Sequence, residues 1–557
     1  MKKNLLFIVA SLIVSSFGVA QPQLEQGKEM LKKSNYAEAV RLFKNVIRYD
    51  PKNDQAWYYL SKAYYKANVL DSAVIAANQA KSLNDENPDV YVVLAQSQLA
   101  SNQPNNAYAT TRAGLKVSKD YEPLVRVLGQ IYLAMDSTDV ATTAFMKAQD
   151  LNTTDPEACE GMGDAYSRTP ATALAIMNYR KSLDLDSTQS RVWFKLAKAL
   201  EKDRQYTESS IALQRVIALD TTNDRAYRDL ADLFYRAKRY RDAAKWYLPY
   251  VQKHPEDREA SVNCLRSLYS SYQYKDVIPL GEKLLKGTPN SGEILRMLAF
   301  ANAELKKYDA GINYYMKLQK VDTLKLDDWK KLGVIYLETK KDSLAAVSME
   351  EILKLDSTNW NVYFEVAVTY MRMKQWGKAA DNFEKKFECD STSFSAYYNY
   401  AACKSALGEF EDAARAYIKA IALRPDYAGT YYNLGSSYMQ LKEWAKAKDT
   451  YEQYMKLVDT AKTKSTKELA VANKFVGLIY LLDKKYEEVV KFEKRSIEFE
   501  DEDSDSHTWL GQAYHNLQNN DKYPNAREDA IKEYKKALKI NKNNKEAWKL
   551  LNMLDPQ

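Results

Sequence analysis

The stretch Trp329-Lys330-Lys331-Leu332-Gly333-Val334-Ile335-Tyr336, followed nine residues on by Ala345, decides how this 557-residue chain is read. Ala345 belongs to a column that recurs every 34 residues: Ala39, Ala73, Ala107, Ala141, Ala175, Ser209, Ala243, Val277, Gly311, Ala345, Ala379, Ala413 and Ala447. No insertion or deletion interrupts its thirteen members. A period of this size means a stack of helical or strand units, each too small to bury its apolar face alone. It also restricts function, because a chain occupied by repeats leaves little room for a catalytic domain.

Other columns fall into the same frame. With residue 20 as position 1, later repeats begin at 54, 88, 122, 156, 190, 224, 258, 292, 326, 360, 394 and 428. Position 4 carries rings such as Trp57, Tyr91, Trp193 and Trp329, and position 8 is mostly small, as at Gly27, Gly129, Ala197 and Gly435. Position 11 is often aromatic, and position 24 supplies Phe43, Phe145, Tyr179, Tyr247, Tyr315, Phe383, Tyr417 and Tyr451. Positions 4, 7, 8 and 11 share one face of a helix, as do 20, 24 and 27. Each repeat therefore reads as two packed helices, drawn together by the small residues and filled by the rings. Pro51, Pro255, Pro289 and Pro425 stand at position 32 between repeats, where other repeats read Asp-Ser-Thr or a near relative, as at Asp186-Ser187-Thr188 and Asp390-Ser391-Thr392. Proline ends one helix, and the Asp, Ser and Thr are expected to cap the next.

The W-x2-L-G-x2-Y pattern at Trp329 to Tyr336, with the position-20 alanine, the position-24 ring and the position-32 proline, resembles the tetratricopeptide repeat, and the resemblance covers nearly the whole chain. It implies an all-α, right-handed superhelical solenoid of about fifteen antiparallel helix hairpins, here as an exported bacterial member. It also implies that the first helices line a concave surface, so that positions 2, 5, 9 and 12 face a ligand.

The boundaries follow. Residues 1–20 read as a signal peptide: Lys2 and Lys3, the apolar run Leu5 to Val14, and Gly18-Val19-Ala20 before Gln21. Residues 21–461 form an uninterrupted array of thirteen repeats, 462–469 a polar insertion, 470–543 two divergent repeats, and 544–557 a capping helix and tail expected to turn a polar face outward. Repeats 3, 8 and 9 match least well, with Val277, Gly281 and Gly311 departing from the pattern.

Formal net charge is +7, and loss of Lys2 and Lys3 with the leader would leave +5, too mild an excess to point to nucleic acid. No segment beyond the leader is long and apolar enough to span a bilayer. Cys159, Cys264, Cys389 and Cys403 are read as free packing residues, since the closest pair falls near opposite ends of adjacent helices. His507 and His515 lack metal-ligand spacing, and the acidic run from Glu500 to Asp505 lacks the glycine and closing glutamate of a calcium loop. Phosphate-loop, dinucleotide and nucleophile-elbow motifs are missing. Neither a cofactor nor an enzymatic activity is expected.

Function is therefore sought among the positions that packing leaves free. Position 5 of repeats 11 to 13 gives a second 34-residue column, Phe364, Tyr398 and Tyr432, joined at position 12 by Met371 and Met439. Exposed, these would suit an apolar or extended peptide; the alternative is that the rings pack against the neighbouring helix. Repeats 6 to 10 place Arg191, Arg225, Arg228, Arg296 and Lys330 on inner positions, interrupted by Asp232 and Asp327. This set either attracts an acidic segment or forms a solvated charged face. The carboxylate clamp of chaperone adaptors is missing where Asn399 and Asn433 would serve it, because Phe364 and Tyr398 stand where it needs lysine. The expected function is a non-catalytic scaffold of the bacterial cell envelope, periplasmic or secreted, that holds one or more proteins or extended peptides, with a place in an envelope assembly or secretion complex. The alternative is a chaperone-like binder of unfolded exported polypeptides.

Overall fold

The computed structural model describes residues 21–460 and 466–556. The leader assigned to residues 1–20, and 461–465 at the insertion, lie outside them. Every element among the described residues is a helix, and the helices alternate as antiparallel hairpins, about fifteen in all. The chain forms two compact units, divided between Gln273 and Tyr274. The first holds hairpins 1 to 7 and the first helix of repeat 8, Arg258–Ser270. The second begins with Tyr274–Gly287, continues with hairpins 9 to 15, and ends with Lys545–Leu554. The division falls in one of the three repeats whose sequence departs most from the pattern.

Hairpin 4, Glu122–Ala134 with Thr138–Leu151, shows how a repeat is built. Ala141 and Phe145 are fully buried on the second helix. The Phe145 ring lies on Gly129 of its own first helix, where a Cβ would stand 2.8 Å from ring carbons. The same ring also lies against Gly161 of the next first helix, in hairpin 5 (Pro156–Ser167 with Thr172–Leu185). One side chain thus closes a hairpin and joins it to its neighbour. Tyr451 repeats the arrangement in the second unit, over Gly435 and stacked on Phe475 at 6.1 Å. Truncating such a ring to alanine costs about 3–5 kcal/mol.

The turn inside each hairpin is as regular as the core. Position 15 takes a left-handed conformation at Ser34, Asn68, Asn102, Asp136, Arg204, Lys238, Lys306, Lys340, Lys374, Gly408, Lys442 and the equivalent Lys484. The next amide then bonds back to the position-11 carbonyl, as in Val69 to Tyr64 at 2.9 Å and Lys341 to Tyr336 at 2.8 Å. This closes the helix end by a 6→1 bond. Only Gly408 avoids the steric cost of that backbone. Repeat 5 has Pro170 at this position, whose φ is locked negative, and its first helix stops at Ser167.

Several expectations change. The Asp-x-Thr triplets do not cap the following helix directly. Asp186 instead accepts from the Thr188 amide at 3.0 Å and hydroxyl at 2.7 Å, and Asp390 does the same with Thr392. The cap comes later, at Asn53, Asn223, Asp257 or Ser393. Residues 466–469 of the stretch read as an insertion form the first turn of a long helix, Thr466–Leu482, after an equally long Trp444–Thr460. All four cysteines are free, yet Cys389 is exposed, because its helix ends at Phe387 and leaves it in the turn. The final helix also exposes Trp548 (45%) and Met553 (61%), so its outer face is not wholly polar.

Repeat 14 breaks the core rule. Its position 24 is Glu493, fully buried against Gly477 in the slot that repeats 4, 5, 12 and 13, among others, fill with a ring. Neither carboxyl oxygen has a well-formed hydrogen bond. Burial raises its pKa well above the ordinary carboxylate range, against smaller opposing pulls from Ser506 and Lys474. A raised folded-state pKa means that stability present below the unfolded pKa is lost as pH rises towards the folded one. We expect Glu493→Phe to raise the stability of the second unit at pH 7 by about 1–3 kcal/mol. We expect Glu493→Gln to stabilise at pH 7 and much less at pH 4, read by thermal melts at both. A separate expectation concerns the turns: Lys340→Gly and Lys374→Gly should each add up to about 1 kcal/mol in denaturant melts.

Candidate functional site

Successive first helices touch one another within each unit, as Pro88–Ala100 touches Glu122–Ala134 and Trp360–Arg372 touches Phe394–Leu407, whereas successive second helices lack contacts of that extent. The first helices therefore crowd onto the inner face. In the first unit they surround a groove of about 340 Å³ to which repeats 2 to 6 all contribute. Tyr65, Gln96, Gln130, Glu160 and Arg191 line it from positions 12, 9, 9, 5 and 2. These are positions expected to face a ligand.

The groove is polar and internally paired. Glu160 is 6% exposed and takes a two-point bond from Arg191, with Nε at 2.9 Å and Nη2 at 2.6 Å, plus Lys195 at 2.8 Å. Lys195 also reaches Asp164 at 2.6 Å, which accepts from the Tyr179 hydroxyl at 2.9 Å. Burial pushes the Glu160 pKa up, but the Arg191 and Lys195 bonds outweigh it and hold the carboxyl below its ordinary range. Beside it, Arg126 is 9% exposed and serves three carboxylates: Asp155 at 2.9 Å, Glu122 at 3.4 Å and Glu157. One guanidinium does not offset that charge, and burial together with the bond to Asp155 raises the Glu122 pKa to about 7.

In the second unit the inner face is aromatic. Phe364, Tyr398 and Tyr432 are each half-buried. Each meets the position-24 ring of its own hairpin edge-on: Phe383 at 5.7 Å, Tyr417 at 5.9 Å and Tyr451 at 6.0 Å. The rings thus pack on the second helix and keep solvent access. Tyr398 also accepts from Asn433 at 2.9 Å and meets Tyr427 at 5.6 Å. Met371 and Met439 lie half-buried beside the rings. Two carboxylates flank the column. Glu365 is exposed next to Phe364 in the chain, and Glu468 raises the pKa of Tyr432 and Tyr454 further than burial does alone. Glu468 escaped sequence reasoning because it sat in a stretch read as insertion.

The basic residues are mostly engaged. Arg191 is held by Glu160. Arg228 pairs with Asp257 at 2.7 Å and Glu259 at 3.2 Å, and lies 3.7 Å from Asp232. Arg296 binds Asp328 at 2.9 Å and Asp322 at 3.1 Å, tying its helix to the irregular turn before Leu326. Arg225 is exposed, 3.9 Å from Asp229 and over the Phe194 ring at 5.3 Å, and Lys330 is exposed. No group of three His, Cys, Asp or Glu among the described residues could hold a metal ion, and none of their helices is long and apolar enough to cross a membrane. His507 is instead a buried structural residue, bonded to Glu533 at 2.5 Å and to the Asp501 carbonyl at 3.1 Å.

Stacked hairpins whose first helices share a polar and aromatic inner face define an α-solenoid repeat protein. Tetratricopeptide-repeat family models match residues 30–97, 194–258 and 430–458, and a TPR-repeat model matches 405–442. The chain carries tetratricopeptide repeats over those residues. It is 28% identical to human Superkiller complex protein 3 over 112 residues, which is 20% of this chain and 7% of the human protein. The mouse protein is 27% identical over 128 residues, 23% of this chain and 8% of its own length. The chain thus matches only a small part of these curated relatives. Among solved structures, a thermophilic TPR protein of Thermus thermophilus is 20% identical, covering 32% of this chain and 98% of that one, with TM-score 0.31. The C-terminal part of a TPR repeat-containing protein from Cytophaga hutchinsonii is 19% identical, covering 52% and 98%, with TM-score 0.32.

Removing Arg126 would leave Glu122, Asp155 and Glu157 without their shared cation. We expect Arg126→Ala to destabilise the first unit by about 3–5 kcal/mol in denaturant melts. The raised Glu122 pKa makes its contribution to stability fall as pH rises through about 7. The stability lost between pH 5 and pH 8 should therefore shrink in Glu122→Gln.

Proposed function

We propose that this protein is a non-catalytic interaction module that holds an extended partner segment on the first-helix face of its second unit. We further propose that it does so in the bacterial cell envelope, after export directed by residues 1–20. The single observation that carries the binding site is the column Phe364, Tyr398 and Tyr432, fixed edge-on by buried rings yet open to solvent. A surface already held in place loses little freedom when a peptide docks, and rigid aromatic anchors supply much of the affinity. Exposed Glu365, next to Phe364 in the chain, and Glu468, whose charge acts on Tyr432, favour a segment that combines apolar side chains with a basic group.

The test is a crosslinking pull-down from envelope fractions. Wild type is compared with Phe364→Ala/Tyr398→Ala/Tyr432→Ala and with Glu365→Lys/Glu468→Lys, each first shown to be folded by circular dichroism. We expect the aromatic variant to recover about ten-fold less of a specific partner, and the charge variant to weaken it as well. Unchanged recovery in both would refute the site. One stoichiometric partner supports a scaffold, whereas many partners at low occupancy support the chaperone-like reading. Absence of the protein from envelope fractions would refute the location alone.

A further inference from the structure

The outer, second-helix side of the first unit carries a recurring cleft that the inner-face reading does not use. It opens where the second helix of one repeat, the first helix of the next and that repeat's second helix meet. It occurs at repeats 1 and 2, 3 and 4, and 5 and 6, 68 residues apart, with equivalent positions lining each copy. The floor is apolar each time. In the middle copy, a cleft of about 450 Å³, it is made by half-buried Leu128 and Tyr132 with Val140, which is 49% exposed.

The copies differ in charge. At repeats 5 and 6 the rim cation Arg180 is neutralised by Glu208. At repeats 1 and 2 the rim holds one lysine, Lys44. At repeats 3 and 4 it holds four cations, Arg112, Lys116, Lys119 and Lys147, and no carboxylate lines the cleft. Only Lys147 is paired, with Asp120 outside the cleft at 2.9 Å. Arg112, Lys116 and Lys119 are exposed and make no ion pair among the described residues. Four cations around one apolar floor repel each other, and a ligand with carboxylates around an apolar anchor would relieve that repulsion.

We propose that the outer cleft of repeats 3 and 4 is a second docking site, which takes an acidic protein segment bearing an apolar anchor. The anchor fills the floor at Leu128, Tyr132 and Val140, and carboxylates on either side pair with Arg112, Lys116 and Lys119. A purely anionic polymer would leave the apolar floor wet, and a purely apolar segment would leave the cations unmatched. The site faces away from the inner groove, so both surfaces can be occupied together.

The probe is a fluorescein-labelled helical peptide of Glu with Leu and Phe four residues apart, titrated onto the full chain by anisotropy. Polyglutamate and anionic phosphatidylglycerol vesicles serve as comparison ligands. We expect saturable binding weakened about ten-fold or more by Lys116→Glu/Lys119→Glu, and likewise by Val140→Asp. Ile211→Asp in the sister cleft, and the aromatic triple variant of the second unit, should leave it unchanged. Lys116 and Lys119 are exposed, so their exchange tests the site even if Val140→Asp unfolds the repeat. Absence of binding, equal binding of polyglutamate, preference for the vesicles, or no effect of the lysine reversal would each overturn the proposal.

Discussion

The rest of the structure depends on one contact, the wedging of a position-24 side chain among three helices. Phe145 touches Gly129 in its own hairpin and Gly161 in the next, so one ring holds a repeat closed and fixes its successor. The contact requires small residues where the ring lies, because a Cβ at Gly129 or Gly161 would already collide with it. It keeps these positions small in most repeats, as the alanine column and Gly129, Ala197 and Gly435 show. Where the ring is replaced, as at Glu493, the protein buries an unsatisfied carboxyl in the same slot.

This wedge also determines what is left for binding. Once positions 4, 8, 11, 20 and 24 are committed to packing, the inner first-helix positions are free to vary. The stacking brings each of them beside a residue 31 to 35 places along the chain. Arg191 meets Glu160, Arg296 meets Asp328, and Asn433 meets Tyr398 through that offset. Arg191 and Arg296 use the offset for charge pairs, one in each unit, whereas repeats 11 to 13 of the second unit present an aromatic face. On these inner faces the half-buried rings of repeats 11 to 13 offer apolar area to a partner.

The fold was legible because the periodic column and its rings are packing requirements written directly into residue size. Ala39 to Ala447 named the contact faces, and Trp329 to Tyr336 named the hairpin type. The left-handed turn was less legible, since Lys340 and Lys374 occupy a backbone that Asn68, Asn102 and Gly408 signal more openly. Charge pairing between repeats was not legible. Arg296 looks free along the sequence and finds Asp328 only across the repeat offset, and Arg228 adds Asp257 and Glu259 of the next repeat to its local neighbour Asp232. The aromatic column was visible as a spacing, but its half-buried state depends on the edge-on rings beneath it. Glu468 was hidden because two lengthened helices carry it to the column from what reads as a polar insertion.

The claim that matters most for function is that partners dock on the first helices of the second unit. Hydrogen–deuterium exchange of the full chain, with and without its crosslinked or co-purified partner, addresses it directly. The account predicts added protection in residues 360–372, 394–407 and 428–440, with little change in 376–387 and 410–423. Protection confined to those second helices, with the first helices unchanged, would contradict it.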